Sequence, residues 1–157
     1  MEVDPEYQEL VDLVSKKDLD FDFPNSSVEH AKYILSKIIE NTKKSLLIYS
    51  RNLNNEIFSS EPVLNSLKAN KDVSIRILLD DQDKNTVANF KHTLKNIEFR
   101  QVRDKNDFFY FVVGDSQRIR ICSREKPHQA RVNFNKKLLG ERLSKQFESF
   151  WSSAYPV

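Results

Sequence analysis

The chain contains very little glycine and cysteine. Of its 157 residues, two are glycine and one is cysteine. So few glycines exclude most glycine-rich phosphate loops, which need several glycines within one short segment. Cys122 alone can form neither an internal disulfide nor a cysteine-based zinc site, which agrees with a reducing compartment. We expect no metal site and no bound cofactor.

Long apolar runs are also missing. The longest run, Phe108 to Val113, falls far below the roughly 18 to 20 residues that a membrane span requires. The N-terminus is acidic where a secretion signal would be basic and then apolar. We therefore expect no membrane span and a cytoplasmic location. Charged residues make up 31% of the chain and aromatic residues 11%, which is typical of a folded domain.

Charge is distributed unevenly along the chain. The first 27 residues hold eight acidic and two basic side chains, a net charge of −6, whereas the whole chain carries +2. The remaining residues therefore carry +8. A basic body is compatible with a polyanionic partner, because clustered lysine and arginine side chains bind phosphates.

The leader differs in pattern from the rest of the chain. A helix is predicted from Pro5 to Lys17, and Asp18 to Pro24 is interpreted as a linker or a docking strand. Ser26 then precedes Glu29 at capping-box spacing, and apolar residues recur at helical intervals, which predicts a helix over 26–42. We divide the chain into an acidic leader helix with its linker, residues 1–25, and a domain over residues 26–157.

Strands and helices alternate through the predicted domain. Its strands are Ser45–Ser50, Val73–Leu79, Ile97–Val102, Phe108–Val113, Arg118–Cys122 and Arg131–Phe134, and its further helices are Pro62–Asn70, Asn85–Lys95 and Asn135–Ser152. Turns are predicted at Asp80–Asp83 and Gly114–Gln117. In the last helix we expect Leu138 to be buried with the other apolar residues. The fold class is an α/β sandwich, a mixed central sheet flanked by helices, with the last helix packed on the sheet.

Histidine is the side chain most often used as a general base or metal ligand near neutral pH. His30 and His92 lie in predicted helices without an acidic or cysteine partner at ligand spacing, so we interpret them as ordinary helix residues. His128 lies in a polar loop between two predicted strands, where a surface role also explains it.

The predicted hairpin carries a resemblance to a known family. Members of the phospholipase D superfamily have a strand motif His-x-Lys-x4-Asp, followed by x6-Gly-Ser-x-Asn. When the motif is aligned on Asp115, its serine falls on Ser123, while its histidine and lysine positions hold Phe108 and Tyr110. The glycine and asparagine of the motif do not match either. The segment from Ser26 to Ala154 thus resembles a catalytically degenerate, single-motif member of this superfamily.

The resemblance implies a loss of catalysis. Members use the motif histidine as a nucleophile that takes the phosphoryl group, and the lysine neutralises phosphate oxygens. Phe108 has neither a lone pair nor a charge, and Tyr110 offers one hydroxyl in place of a positive charge. Losing an essential nucleophile typically lowers a rate by several orders of magnitude. We expect no phosphodiesterase activity of the family's type.

Basic residues surround the predicted hairpin. In the alternating strand, Arg118 and Arg120 share one face and the isoleucines share the other. One hypothesis is a surface that binds DNA, RNA or a small anionic ligand. Its predicted residues are Arg103, Tyr110, Arg118, Arg120, Ser123 and Arg131. The alternative is a solvated sheet edge whose charges discourage aggregation.

Three functions follow from this pattern. The favoured one is a non-catalytic binding or regulatory module for nucleic acid or another phosphate-bearing ligand, and the resemblance implies a homodimer. The alternative is a ligand-sensing or dimerisation domain of a transcription regulator or sensor kinase, because degenerate members of the superfamily occur in such proteins. The third is a phosphodiesterase or nuclease with a relocated nucleophile, His128 or Ser123.

Overall fold

A mixed β-sheet organises the chain. The computed structural model describes residues 3–53, 56–81 and 84–157, and these residues form an eight-stranded sheet. Its strands are β1 (Phe23–Asn25), β2 (Ser45–Ser50), β3 (Ser74–Leu79), β4 (Ile97–Gln101), β5 (Tyr110–Gly114), β6 (Arg118–Cys122), β7 (Ala130–Asn133) and β8 (Tyr155–Pro156). The order across the sheet is β1-β7-β6-β5-β2-β3-β4-β8. β2, β3 and β4 are parallel, and the other pairings are antiparallel.

Helices cover both faces of the sheet. Helices α1 (Pro5–Lys16), α2 (Val28–Asn41), α3 (Glu61–Ala69) and α4 (Lys84–Thr93) pack on one face, and α5 (Lys137–Ser153) packs on the other. The first core contains Ile34 and Ile48, whereas the second contains Phe111 and Phe147. The expected α/β sandwich with a C-terminal helix on the sheet is confirmed. No helix of the described residues is long and apolar enough to cross a membrane.

The leader packs against the body of the fold. Of the two interpretations of Asp18 to Pro24, the docking strand is confirmed for its end, because Phe23 and Pro24 lie in β1, which pairs with β7. Val11 and Val14 of α1 are buried in the first core. The division of the chain at residue 25 stays a prediction.

Several predicted boundaries differ from the structure. Ser27, not Ser26, caps α2, since its hydroxyl accepts a hydrogen bond from the His30 N–H at 3.1 Å. β5 begins at Tyr110 because the Phe108 N–H donates to the Asn106 side chain and so stands outside the ladder. Of the predicted turn at Asp80–Asp83, residues 82 and 83 lie outside the described residues.

The predicted burial of Leu138 is wrong. Its side chain is 65% exposed, because the buried stripe of α5 runs through Gly140, Leu143, Phe147 and Trp151. A helix advances about 100° per residue, so position 138 lies on the opposite side from this stripe.

The predicted hairpin turn is confirmed, and both glycines lie close to other chain segments near it. Asp115 and Ser116 have φ of 53° and 56°, and the Gln117 N–H donates to the Gly114 carbonyl at 3.1 Å, as in a type I′ turn. A Cβ at Gly114 would overlap the Thr42 hydroxyl, and a Cβ at Gly140 would overlap the Ser116 carbonyl oxygen. The few glycines therefore allow close approach at this end of the sheet.

Candidate ligand-binding site

A cleft of about 380 Å³ opens beside the carboxyl ends of the parallel strands. It lies where β2 ends, next to the start of β5 and the loop after β6. In open α/β sheets this end of the strands is the usual place for ligands. Ile57 and Phe58 contribute to an apolar wall. The polar lining includes Arg51, Arg120 and His128, and also the acidic Glu56 and Glu125.

Arg124 forms the centre of a hydrogen-bonded network at one side of the cleft. Its guanidinium donates to the Phe108 carbonyl (2.8 Å), Asp80 Oδ2 (2.6 Å), the Tyr110 hydroxyl (3.0 Å), the Tyr49 hydroxyl (2.8 Å) and Asn106 Oδ1 (2.9 Å). An arginine side chain has five N–H donors, and each nitrogen of Arg124 is used here. The guanidinium also lies 4.6 Å from the centroid of the Tyr110 ring. Arg124 is therefore fully engaged within the protein.

Asp80 supplies the countercharge of this network. The Tyr49 hydroxyl donates to its Oδ1 at 2.6 Å, and the Tyr110 hydroxyl donates to its Oδ2 at 2.7 Å. Burial, together with the hydrogen bond to Asp80, raises the pKa of both phenols above the usual tyrosine value, so they stay neutral at physiological pH. Burial opposes the charge of Arg124, but Asp80 and the two phenols raise its pKa on balance. Arg124 and Asp80 thus balance each other's charge, and the exposed Arg51 adds a hydrogen bond to the Tyr110 hydroxyl at the edge of the network.

The residues at the motif's histidine and lysine positions are both packed within the fold. The half-buried Phe108 ring lies 5.9 Å from the Phe111 and Phe150 rings, edge to face, in the second core. Tyr110 is 5% exposed and belongs to the Arg124 network. The Phe108 ring has no nucleophilic atom, and the Tyr110 hydroxyl is hydrogen-bonded to Asp80 and Arg124.

The two motif positions that match the superfamily have structural partners. The Asp115 carboxylate accepts hydrogen bonds from the backbone N–H groups of Lys43, Lys44 and Ser45 at 2.8 to 3.1 Å. The Ser123 hydroxyl accepts one from the Lys126 N–H at 3.3 Å and lines a neighbouring groove instead of the cleft.

The strand that carries Arg118 and Arg120 lies inside the sheet. β6 pairs with β5 on one side and with β7 on the other, and the two arginines are 5% and 4% exposed. The alternative of a solvated sheet edge is therefore wrong. Arg118 pairs with Asp18 and Asp115, at 3.0 Å each.

The predicted binding residues do not form one surface. Tyr110 and Arg120 line the cleft, whereas Arg118 does not. Arg103 donates to the Ser153 carbonyl at 2.9 Å and stacks over Tyr155 at the far end of α5. The exposed Arg131 pairs in register with Ile121, which places it on the sheet face opposite Arg120.

Sequence reasoning missed three residues of this site: Arg51, Asp80 and Arg124. Arg51 directly follows β2 and Asp80 directly follows β3. Polar residues immediately after buried parallel strands meet at one edge of the sheet, and this signal was available in the sequence. Arg124 was visible only as one of several basic residues near the hairpin.

The histidines are separated in the fold. The His30 ring stacks on Tyr7 with centroids 3.8 Å apart, His92 lies in α4, and His128 lines the cleft. Across the described ranges, no group of three or more His, Cys, Asp or Glu side chains is placed to hold a metal ion.

Sequence comparison assigns the chain to a family. The family described as "Domain of unknown function (DUF7931)" matches residues 27–157. The chain belongs to the DUF7931 family. No curated protein sequence matches it significantly.

Solved structures similar to this DUF7931 domain include phospholipase D family members. Nuc from Salmonella typhimurium, described as such a member, matches with a TM-score of 0.63 at 15% identity, over 88% of this chain and 97% of that one. NucT from Helicobacter pylori matches with 0.64 at 9% identity, over 88% and 99%. The TM-scores show a shared fold, and at such low identities they show the fold alone. The expected phospholipase D-like architecture is therefore confirmed.

An archaeal protein is also similar in fold. TrmBL2, described as an archaeal chromatin protein with a novel mode of DNA binding, matches with a TM-score of 0.62 at 12% identity. The match covers 97% of this chain and 61% of TrmBL2, so this chain spans less than two thirds of that protein.

Proposed function

We propose that this domain is a non-catalytic module that binds nucleic acid or another phosphate-bearing ligand in the cleft beside β2 and β5. The observation that carries the proposal is the hydrogen-bonded network around the residue at the motif's lysine position. Tyr110 stands there, held by Asp80 and Arg124, and Phe108 fills the histidine position. No side chain with nucleophilic chemistry of the family's type stands at these two positions.

Two arginines of the cleft support a phosphate-bearing ligand, although the exposed Glu56 and Glu125 also line it. Arg51 is exposed at the rim, and Arg120 and His128 line the interior. Among proteins with the same fold, TrmBL2 is a chromatin protein described as binding DNA. Arginine binds phosphate oxygens through paired N–H donors, so the contacts with phosphate are assigned to Arg51 and Arg120.

The binding test is a fluorescence-anisotropy titration with short single- and double-stranded oligonucleotides at low and moderate salt. We expect micromolar or tighter binding that weakens as salt rises, because phosphate contacts release counterions. Arg51→Ala should weaken binding several-fold and lower the salt dependence by about one contact. Arg142→Ala is the matched control, since Arg142 is an exposed arginine of α5 that does not line the cleft.

Absence of binding at low salt would overturn the nucleic-acid proposal. The ligand-sensing or dimerisation alternative, as part of a transcription regulator or sensor kinase, would then lead. Equal effects of Arg51→Ala and Arg142→Ala would place the contacts outside the cleft.

The same preparations should not hydrolyse a phosphodiester model substrate. Hydrolysis that survives purification and vanishes in His128→Ala or Ser123→Ala would support the third function, a phosphodiesterase or nuclease with a relocated nucleophile. His128 is the better placed of the two, because it lines the cleft.

The homodimer implied by the resemblance belongs to the same proposal. Phe109, next to the motif's histidine position, is 52% exposed and could be covered by a second copy. The half-buried Phe108 offers less surface to such an interface, because its ring packs in the second core. Sedimentation over a range of concentrations tests this, and a monomer at every concentration would contradict it.

A further inference from the structure

Arg120 is a buried cation that has no carboxylate partner among the residues that the structure describes. It is 4% exposed, and its hydrogen-bond acceptors are neutral: Nε donates to Asn25 Oδ1 at 3.0 Å and Nη2 donates to the Pro127 carbonyl at 2.8 Å. Arg120 forms no ion pair with any acidic side chain of the described residues. An arginine stays protonated at physiological pH even when it is buried.

The groups that act on this charge are also uncharged. Burial lowers the pKa of Arg120, and the side chains opposing this effect are the Cys122 thiol and the Tyr7 phenol. Burial raises the pKa of the Cys122 thiol, and burial raises that of Tyr7 to about 12. Both are therefore neutral at pH 7 and provide no countercharge.

The other two arginines of this region show what Arg120 lacks. Arg118 pairs with Asp18 and Asp115, and Arg124 pairs with Asp80. A buried charge left without an opposite charge is destabilising, whereas a bound anion would supply the missing charge. Arg120 differs from both neighbours in lacking this charge within the described chain.

Arg120 also faces the cleft. It contributes to the lining of the same 380 Å³ space as Arg51, His128, Ile57 and Phe58. This volume lies at the lower end of the range for small-molecule pockets, roughly 300 to 1,000 Å³. The space suits one nucleotide and is too small for a duplex. Its apolar wall suits a flat base, and its arginines suit a phosphate.

We propose that the cleft binds a single nucleoside monophosphate group, free or at the end of a strand, with its phosphate paired to Arg120. The base would lie against the wall that contains Ile57 and Phe58. This inference rests on the proposed function and narrows it from phosphate-bearing ligands in general to one phosphorylated nucleotide. In this inference, the Arg120 guanidinium binds the phosphate of the ligand inside the cleft.

Calorimetric titration of the full chain with AMP and UMP tests the proposal, with adenosine and inorganic phosphate as partial ligands. We expect saturable binding of a nucleoside monophosphate and at least tenfold weaker binding of adenosine. Arg120→Met should weaken nucleotide binding at least tenfold, because it removes the charge and the N–H donors together. Arg120→Lys keeps the positive charge but loses the paired N–H donors of the guanidinium, so it should bind the nucleotide with intermediate affinity. If circular dichroism shows that Arg120→Met does not fold, Arg120→Lys takes its place in the test.

Oligonucleotides of one sequence, with and without a terminal phosphate at either end, show whether the ligand is a free nucleotide or the end of a strand. Tighter binding of the phosphorylated strand than of AMP indicates a strand end, and the reverse order indicates a free nucleotide. Each result supports the proposal if Arg120→Met abolishes the preference for phosphate.

Two outcomes overturn the inference, and they are distinguishable from failure of the proposed function. In the first outcome, oligonucleotide binding depends on Arg51 but not on the terminal phosphate or on Arg120. This result is consistent with the proposed function and contradicts the nucleotide site. AMP binding unchanged in Arg120→Met places the phosphate elsewhere. Conversely, AMP binding that depends on Arg120, without any oligonucleotide binding, overturns only the nucleic-acid part of the proposed function and supports the free-nucleotide source.

Discussion

The Asp115 carboxylate joins the hairpin turn to the chain segment that enters β2. Burial alone would raise its pKa, but hydrogen bonds from the backbone N–H groups of Lys43, Ser45 and Lys44, and the charge of Arg118, lower it below the usual aspartate value. The anion therefore stabilises the fold at neutral pH. In this chain, a residue that matches the superfamily motif has a structural role.

At the residue scale, we predict that Asp115→Asn destabilises the protein by about 1 to 3 kcal/mol at pH 7. Asparagine tolerates the positive φ but offers one acceptor oxygen where the carboxylate has two. Because the folded pKa is lowered, the carboxylate contributes fully above the ordinary value of about 3.9, and the contribution is lost as pH falls through the folded pKa. The difference in Tm between wild type and variant should thus be largest near pH 7 and shrink below about pH 4.

Thermal unfolding from pH 7 to pH 3 measures this difference. Asp107→Asn is the matched control, since Asp107 is exposed and its replacement should change stability by less than about 0.5 kcal/mol. A Tm difference for Asp115→Asn that stays constant over the whole pH range would contradict the role assigned to the carboxylate.

The three arginines of the hairpin region show how far the sequence could predict single residues. Strand alternation correctly predicted that Arg118 and Arg120 share a face, but not that both are buried. Arg118 and Arg120 bind Asp18 and Asn25, which lie 100 and 95 residues away in the chain. A local pattern cannot reveal which distant segment covers a strand, so the different partners of Arg118, Arg120 and Arg124 required the structure.

At the element scale, α5 touches the β5–β6 turn through Gly140. A Cβ there would overlap the backbone of Ser116 and approach the Gln117 nitrogen, and neither group belongs to a flexible side chain. The same turn is linked to α5 by the Ser116 and Ser144 hydroxyls, 3.0 Å apart. The position of the helix on the sheet therefore depends on the absence of a side chain at residue 140.

We predict that Gly140→Ala destabilises the protein by about 1 to 3 kcal/mol, because α5 must move away from the turn. Intrinsic helix propensity predicts the opposite sign, since alanine favours a helix interior by about 1 kcal/mol relative to glycine. Chemical denaturation measures which effect is larger. Lys145→Ala, at an exposed position of the same helix, should be nearly neutral. A more stable Gly140→Ala protein would show that the contact relaxes without loss.

Most elements could be predicted from the sequence, because apolar periodicity and turn residues are local signals. The exceptions have physical causes. β8 consists of Tyr155 and Pro156, too short for a pattern, and it pairs with β4. The start of β5 shifted because the Asn106 side chain binds the Phe108 backbone, a competition that strand propensity does not contain.

At the scale of the whole molecule, the sheet separates two cores that different parts of the chain build. The leader helix α1 contributes to the first core, and α5 contributes the single tryptophan, Trp151, to the second. The DUF7931 match begins at residue 27, after the leader. Acidic leader residues also bind the body: the Asn133 amide donates to Asp20 and Asp22, and Lys136 pairs with Asp22 at 2.8 Å. These contacts predict that leader and body unfold together.

Val14→Ala tests this cooperativity from the opposite side of the sheet. Val14 is 2% exposed, and loss of its methyl groups should destabilise the protein by about 1 to 3 kcal/mol. If the chain unfolds as one unit, this loss lowers the midpoint of the transition reported by Trp151 fluorescence, although Trp151 lies in the other core. Leu13→Ala, on the exposed side of the same helix, should leave the midpoint nearly unchanged. The contrary result is a Trp151 fluorescence midpoint that Val14→Ala leaves unchanged, while circular dichroism detects an earlier loss of helix. The leader would then be a separate folding unit, in support of the division at residue 25.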